Sequence, residues 1–124
     1  MIKGLNHFNI ATTDLEKSVR FYENFGLVRG HRPDFGNTGV WMYYGPNPIL
    51  HLNLESEVGP IVHGTGVVHH LGFSVRGTMK EIREKLDCMG IDYQLWPVTV
   101  VGWHPAIYSK DPNGVTIEFV LVEC

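Results

Sequence analysis

The chain contains an internal repeat, and that repeat constrains its fold more than any other feature. The first half opens with "LNHFNIATTDLEKSVRFYENFGL" and the second with "VHHLGFSVRGTMKEIREKLDCMGI". Each stretch is a short alternating strand, a turn, a helical pattern and a closing glycine. The step is 63 residues from His7 to His70 and 64 from Gly26 to Gly90. Self-similarity at a fixed period points to two copies of one supersecondary unit. Asp14 is placed to cap a helix from Leu15, and Thr78 or Gly77 to cap the later one. Leu15, Val19, Tyr22 and Phe25 line the first helix at three-to-four spacing, and Met79, Ile82, Leu86 and Met89 line the second. Gly26 and Gly90 then fall where C′ glycines belong.

Three strand-like runs follow each helix. They are "LVRGHR", "GVWMYYG" and "PILHLNLE" in the first half, and "IDYQLWPV", "HPAIYSK" and "VTIEFVLVE" in the second. Turn chemistry separates them at "GPNP" (45–48) and "DPNG" (111–114). The Gly-rich stretch "SEVGPIVHGTG" (56–66) reads as the linker between halves. The expectation is an α+β chain of two tandem βαβββ modules in one domain, 1–124. Module one covers about 1–56, the linker about 57–66 and module two about 67–124.

At 124 residues the chain is long enough for one core. A net charge of −3 without any Lys/Arg run argues against a nucleic-acid or anionic-membrane partner. No stretch approaches 18 apolar residues, and the amino terminus has no long apolar region. Cys88 and Cys124 form no CxxC and no framework, which suggests free thiols in a reducing, cytoplasmic setting.

Alternation along strands sorts the polar residues by face. Phe8 and Ile10 share one face of the first strand, and His7, Asn9 and Ala11 the other. Leu71, Phe73 and Val75 share a face with His69, opposite His70, Gly72 and Ser74. Leu50, Leu52 and Leu54 oppose His51 and Asn53, while Ile117, Phe119 and Leu121 oppose Thr116, Glu118 and Val120. With the apolar faces turned to the helices, His7, His51, His70 and Glu118 occupy four equivalent positions on the other face. Three imidazoles and a carboxylate form a metal-ligating set by donor type. A strand histidine also serves as a surface or hydrogen-bonded core residue, and Glu118 as an exposed residue on a two-faced strand. Residue types alone leave both readings open.

Three segments resemble the vicinal oxygen chelate superfamily, which holds glyoxalases, epimerases, extradiol dioxygenases, and fosfomycin and bleomycin resistance proteins. "HFNIATTDLEKSVRFYENFGL" is similar to its opening, "HHLGFSV" to the start of its second module, and "YSKDPNGVTIEFV" to its closing hairpin. The resemblance spans essentially the whole chain. It implies an eight-stranded, cup-shaped mixed sheet with helices on the outer face, around one divalent metal ion. By position, His7, His70 and Glu118 would be ligands. His51 takes a fourth slot, which holds a ligand in glyoxalase-like members and resembles the neighbourhood of an acid/base histidine in dioxygenases. Tyr108 resembles a tyrosine that dioxygenases place over the substrate. "VRGTMKE" lacks the acidic residue that usually starts the second helix.

The resemblance implies a metal-dependent lyase or isomerase of the glyoxalase or epimerase kind, acting on a small molecule that chelates through neighbouring oxygens. Two alternatives stand beside it: an extradiol Fe(II) dioxygenase with His51 as acid/base, and a binder that sequesters a drug or metabolite. Mixed imidazole and carboxylate donors do not choose among Fe, Mn, Ni, Co and Zn. Asn9, Asn53, Trp41, Tyr43, Trp103 and His104 are candidates to line the pocket, with Trp103 and His104 at its rim. His31 and His63 fall in turn or linker contexts and read as surface residues. Open sheet edges suggest a homodimer.

Overall fold

The computed structural model describes residues 1, 3–58, 68–96 and 104–123. Two compact units divide the chain, Met1–Val62 and His63–Cys124. The first contains β1 (Phe8–Thr12), α1 (Leu15–Asn24), β2 (Val28–Gly30), β3 (Gly39–Tyr44), β4 (Asn47–Leu54) and a single helical turn, α2 (Glu55–Val58). The second contains β5 (Leu71–Arg76), α3 (Met79–Cys88), β6 (Gln94–Trp96), β7 (Ala106–Lys110) and β8 (Thr116–Glu123). Among the described residues, eight strands form two four-stranded mixed sheets, ordered β1-β4-β3-β2 and β5-β8-β7-β6. In each, the first strand runs parallel to the last, and the other neighbours are antiparallel.

Both helices begin and end by local chemistry. The Asp14 carboxylate accepts from the Lys17 amide at 3.0 Å. Thr78 forms a full capping box with Glu81: its hydroxyl accepts from the Glu81 amide at 3.2 Å, and its own amide donates to Glu81 Oε2 at 2.6 Å. That carboxylate supplies the acidic first turn which "VRGTMKE" places three residues past the cap. At the other ends Gly26 and Gly90 take φ of 103° and 66°. The amides of Gly26 and Leu27 donate to Glu23 and Tyr22, and those of Gly90 and Ile91 to Asp87 and Leu86. Both are Schellman motifs, so the two modules stop their helices the same way.

The apolar faces pack as the alternation requires. Ile10, Val19, Tyr22, Met42, Leu50 and Leu52 are buried in the first module, and Leu71, Ile82, Leu86, Ile107, Ile117 and Phe119 in the second. The buried stripe of α1 is Ser18, Val19, Phe21 and Tyr22, whereas Leu15 and Phe25 are half-buried. Ser18 is tolerated there because its hydroxyl lies 3.0 Å from that of buried Thr12. α2 takes in residues expected in the linker. Its Glu57 carboxylate accepts from the Thr38 amide and hydroxyl at 2.8 and 2.9 Å, tying the turn to the loop before β3. The rest of that linker, from 59, lies outside the described residues, as do His63 and Cys124. Cys88 is an exposed free thiol.

The α3 cap is a direct test of this construction. Thr78→Ala should lower stability by about 1 kcal/mol in urea denaturation, the usual cost of losing such a cap. The Thr78 hydrogen bonds hold the Glu81 carboxyl below its ordinary 4.5. Its contribution should therefore be complete above that pH and fade as pH falls through the lower folded value.

Candidate functional site

Register places the candidate residues in matching rows. Asn9 of β1 pairs with His51 of β4, which pairs with Trp41 of β3. Gly72 of β5 pairs with Glu118 of β8, which pairs with Tyr108 of β7. His7 and His70 each lie two residues ahead of the first member of a row. Each module therefore offers one histidine just before its first strand, a donor on its last strand and an aromatic ring on the neighbouring strand.

In the second module the donors meet. His70 Nε2 lies 3.1 Å from Glu118 Oε2, with Glu118 only 6% exposed. A β-carbon at Gly72 would stand 3.6 Å from that oxygen, so Gly72 leaves the carboxylate's flank without a side chain. Two donors each ~2.1 Å from one ion at a right angle stand ~3.0 Å apart. The pair thus already has the spacing of adjacent ligands. The other ring nitrogen, His70 Nδ1, lies 2.9 Å from His69 Nδ1. Here Glu118 accepts from Nε2–H and His69 donates to Nδ1. With the Nε2 lone pair given to a cation, the same contact works in reverse and His69 accepts.

This contact revises the expectation that His69 turns to the helix-packed face. β5 begins at Leu71, so strand alternation does not govern His69, which is exposed. Tyr108 stands edge-on to His70 at 5.6 Å and to Trp96 at 6.3 Å. Burial, followed by hydrogen bonding to and the charge of Glu118, pushes its phenol above the ordinary 10 and keeps it protonated.

In the first module the rings stack. His51 lies between His7, at 3.9 Å and 14°, and Trp41, at 4.1 Å and 9°. His7 Nδ1 is 2.7 Å from Asn6 Oδ1, an oxygen that only accepts, so Nε2 keeps its lone pair. His51 Nε2 likewise donates to the Pro48 carbonyl at 3.1 Å, leaving Nδ1 bare. Ligand lone pairs lie in the ring plane, and nearly parallel stacked planes do not converge on one ion. As they stand, His7 and His51 would not share a metal unless one ring left the stack. Burial, then the charges of His7 and Arg32, lowers the His51 pKa below 6.5 against the Pro48 bond.

These rings border a cavity of about 560 Å³ within the first module. Asn9 and Asn53 line it, with Asn9 Nδ2 donating to Asn53 Oδ1 at 2.9 Å, and Trp41 forms part of its wall. Arg32 and Phe35 line it too. No periodic signal marks these two, because both sit in the loop between β2 and β3. Tyr43 is used elsewhere: its ring covers Gly30 and its hydroxyl donates to the His31 carbonyl. His31 and His104 are exposed, and Trp103 lies outside the described residues. Among the described residues, no group of three or more His, Cys, Asp and Glu stands ready to hold a metal. The donors come as two pairs, one per module, and the second fits an ion by spacing and chemistry.

Residues 4–119 match the Glyoxalase/Bleomycin resistance protein/Dioxygenase superfamily. Among solved structures the chain is similar to the fosfomycin resistance protein FosX from Listeria monocytogenes, at 19% identity and a TM-score of 0.74 over 97% of this chain and 91% of that one. A glyoxalase family protein from Bacillus anthracis is 24% identical, with a TM-score of 0.70 over 99% and 96% of the two chains. A glyoxalase/dioxygenase from Nostoc punctiforme is 21% identical, with a TM-score of 0.74 over 94% and 89%. At these identities the structures speak for the fold, and the family match covers nearly the whole chain. With both modules accounted for, the chain belongs to the glyoxalase/bleomycin resistance protein/dioxygenase superfamily.

Proposed function

We propose that this protein is a divalent-metal-dependent enzyme of the glyoxalase type, a lyase or isomerase whose small substrate chelates through neighbouring oxygens. The observation that carries this reading is the His70–Glu118 pair, at the 3.1 Å separation of adjacent ligands. His7, with Nε2 left bare by Asn6, completes a ligand set of His7, His70 and Glu118. The set needs one copy of each module, working as a single domain over 1–124, in one chain or in a homodimer. Further support comes from a variant of FosX solved with Mn(II) and 1S,2S-dihydroxypropylphosphonic acid.

A bound ion supplies Lewis acidity to the substrate's oxygens. The remaining roles fall to the chain's own groups. His51 is held toward its neutral form with Nδ1 bare, which suits it to accept a proton at neutral pH. The Tyr108 phenol stays protonated beside His70 and can donate a hydrogen bond. Asn9 and Asn53 offer amide contacts from the cavity wall.

One observation favours a second reading. His51 is stacked between His7 and Trp41 and does not share the direction of the His7 lone pair. That suits an extradiol dioxygenase, in which two histidines and a glutamate hold Fe(II), His51 is the acid/base group and Tyr108 orients the substrate.

Elemental analysis of anaerobically purified protein distinguishes these readings. Near-stoichiometric Mn, Ni, Co or Zn, lost in His70→Ala but kept in His51→Ala, whose ring is not among the proposed ligands, is the outcome expected for the glyoxalase-type enzyme. Iron lost with His70→Ala but kept with His51→Ala would point to the dioxygenase. Protein without metal under every condition would leave only a sequestering role. A second check is the His51 ring itself, followed by nitrogen-15 NMR in the metal-free protein. Its titration should lie below 6.5, and His7→Ala should move it upward. Because the folded value is the lower one, the associated stability should be complete above 6.5 and decline as pH falls through the folded value.

A further inference from the structure

The first-module cavity contains a cation for which the metal-centred reading has no use. Arg32 follows β2 and is half-buried. Nη1 donates to the Asn37 carbonyl at 3.1 Å and Nη2 to the Asn37 side-chain oxygen at 2.7 Å. The guanidinium carbon sits 5.0 Å over the Phe35 ring. At Gly39 an added β-carbon would stand 2.7 Å from that carbon and from Nη2, so the group packs on backbone that only glycine leaves open. The guanidinium is thus clamped at one edge and held by an aromatic face and a glycine.

What it lacks is a counter-charge. Among the described residues no carboxylate pairs with Arg32, and its buried Nε has no hydrogen-bond partner. Asp34 accepts from the Gly36 amide, and Glu57 is taken by Thr38. A guanidinium has five N–H donors, and two are used. A pre-positioned arginine with spare donors and no protein anion is suited to an oxyanion, which it binds through charge-assisted hydrogen bonds. Trp41, Phe35 and Pro48 give the same cavity an apolar side, and its volume suits a small metabolite.

We propose that Arg32 is an anion-recognition residue and that the cavity takes a small organic acid, its carboxylate or phosphonate on Arg32 and its apolar body against Trp41 and Phe35. This deepens the proposed function by naming a substrate class, and in that respect it rests on that reading. The binding itself requires no metal.

The test therefore uses metal-free, chelator-treated full-length protein. Benzoate, phenylphosphonate and the neutral control benzamide are titrated while the Trp41 indole and His51 ring signals are followed by NMR. Benzoate or phenylphosphonate should shift both signals and bind at least ~10-fold more tightly than benzamide, a difference of about 1.4 kcal/mol. The tighter of the two acids identifies the kind of anion. Arg32→Gln should abolish the preference for acid over amide, and Arg32→Lys should retain part of it. Equal binding of benzoate and benzamide, absence of binding by either acid, or an undiminished preference in Arg32→Gln would each overturn the proposal. The acid-to-amide comparison in the unaltered protein decides the matter even if Arg32→Gln does not fold. A protein that binds the acids but never takes up metal would refute the metal reading alone.

Discussion

The parallel ladder between β1 and β4, repeated between β5 and β8, joins the first strand of each module to its last. Parallel neighbours cannot be linked by a tight turn, so the chain must cross over and return. The helices α1 and α3 begin that crossover, and their caps fix where each starts and stops. Once the ladder is in register, a histidine lies two residues upstream of a row whose middle member is His51 in one module and Glu118 in the other. Moving either strand by one residue would turn His51 or Glu118 toward the core and destroy the row.

Much of this was legible because strands have a period of two and helices of 3.6. Parity alone put His51 and Glu118 opposite Leu50, Leu52, Ile117 and Phe119; Glu118 is nonetheless buried, at 6% exposure, where it meets His70. Asp14, Thr78, Gly26 and Gly90 mark helix ends by chemistry that works at short range. Periodicity loses its hold where the strands end. His69 precedes β5, so its side chain is free to meet His70. Tyr43 has the parity of Trp41, yet its reach over Gly30 takes it away from the cavity. Arg32 and Phe35 come from a loop, where only three-dimensional packing brings a guanidinium onto a ring and a glycine.

The two donor pairs differ in what holds them. His70 and Glu118 are joined by a hydrogen bond whose partners are an imidazole and a nearly buried carboxylate, so neither can turn away cheaply. His7 and His51 are held by ring stacking and by single bonds to Asn6 and the Pro48 carbonyl. Stacking fixes the distance between planes and leaves rotation within the plane soft. The pairs thus differ in kind, a hydrogen-bonded imidazole and carboxylate in the second module and a ring stack in the first.

The matching rows also bear on how such a chain diversifies. The two modules share one backbone frame and differ at the middle of the row, imidazole in one and carboxylate in the other. Caps, ladders and apolar faces maintain the frame in both copies. The copies are chemically non-interchangeable and architecturally the same. A duplicated fold can in this way gain an asymmetric set of donors without inventing a new scaffold, and new specificities can arise by changing a few side chains in one copy only.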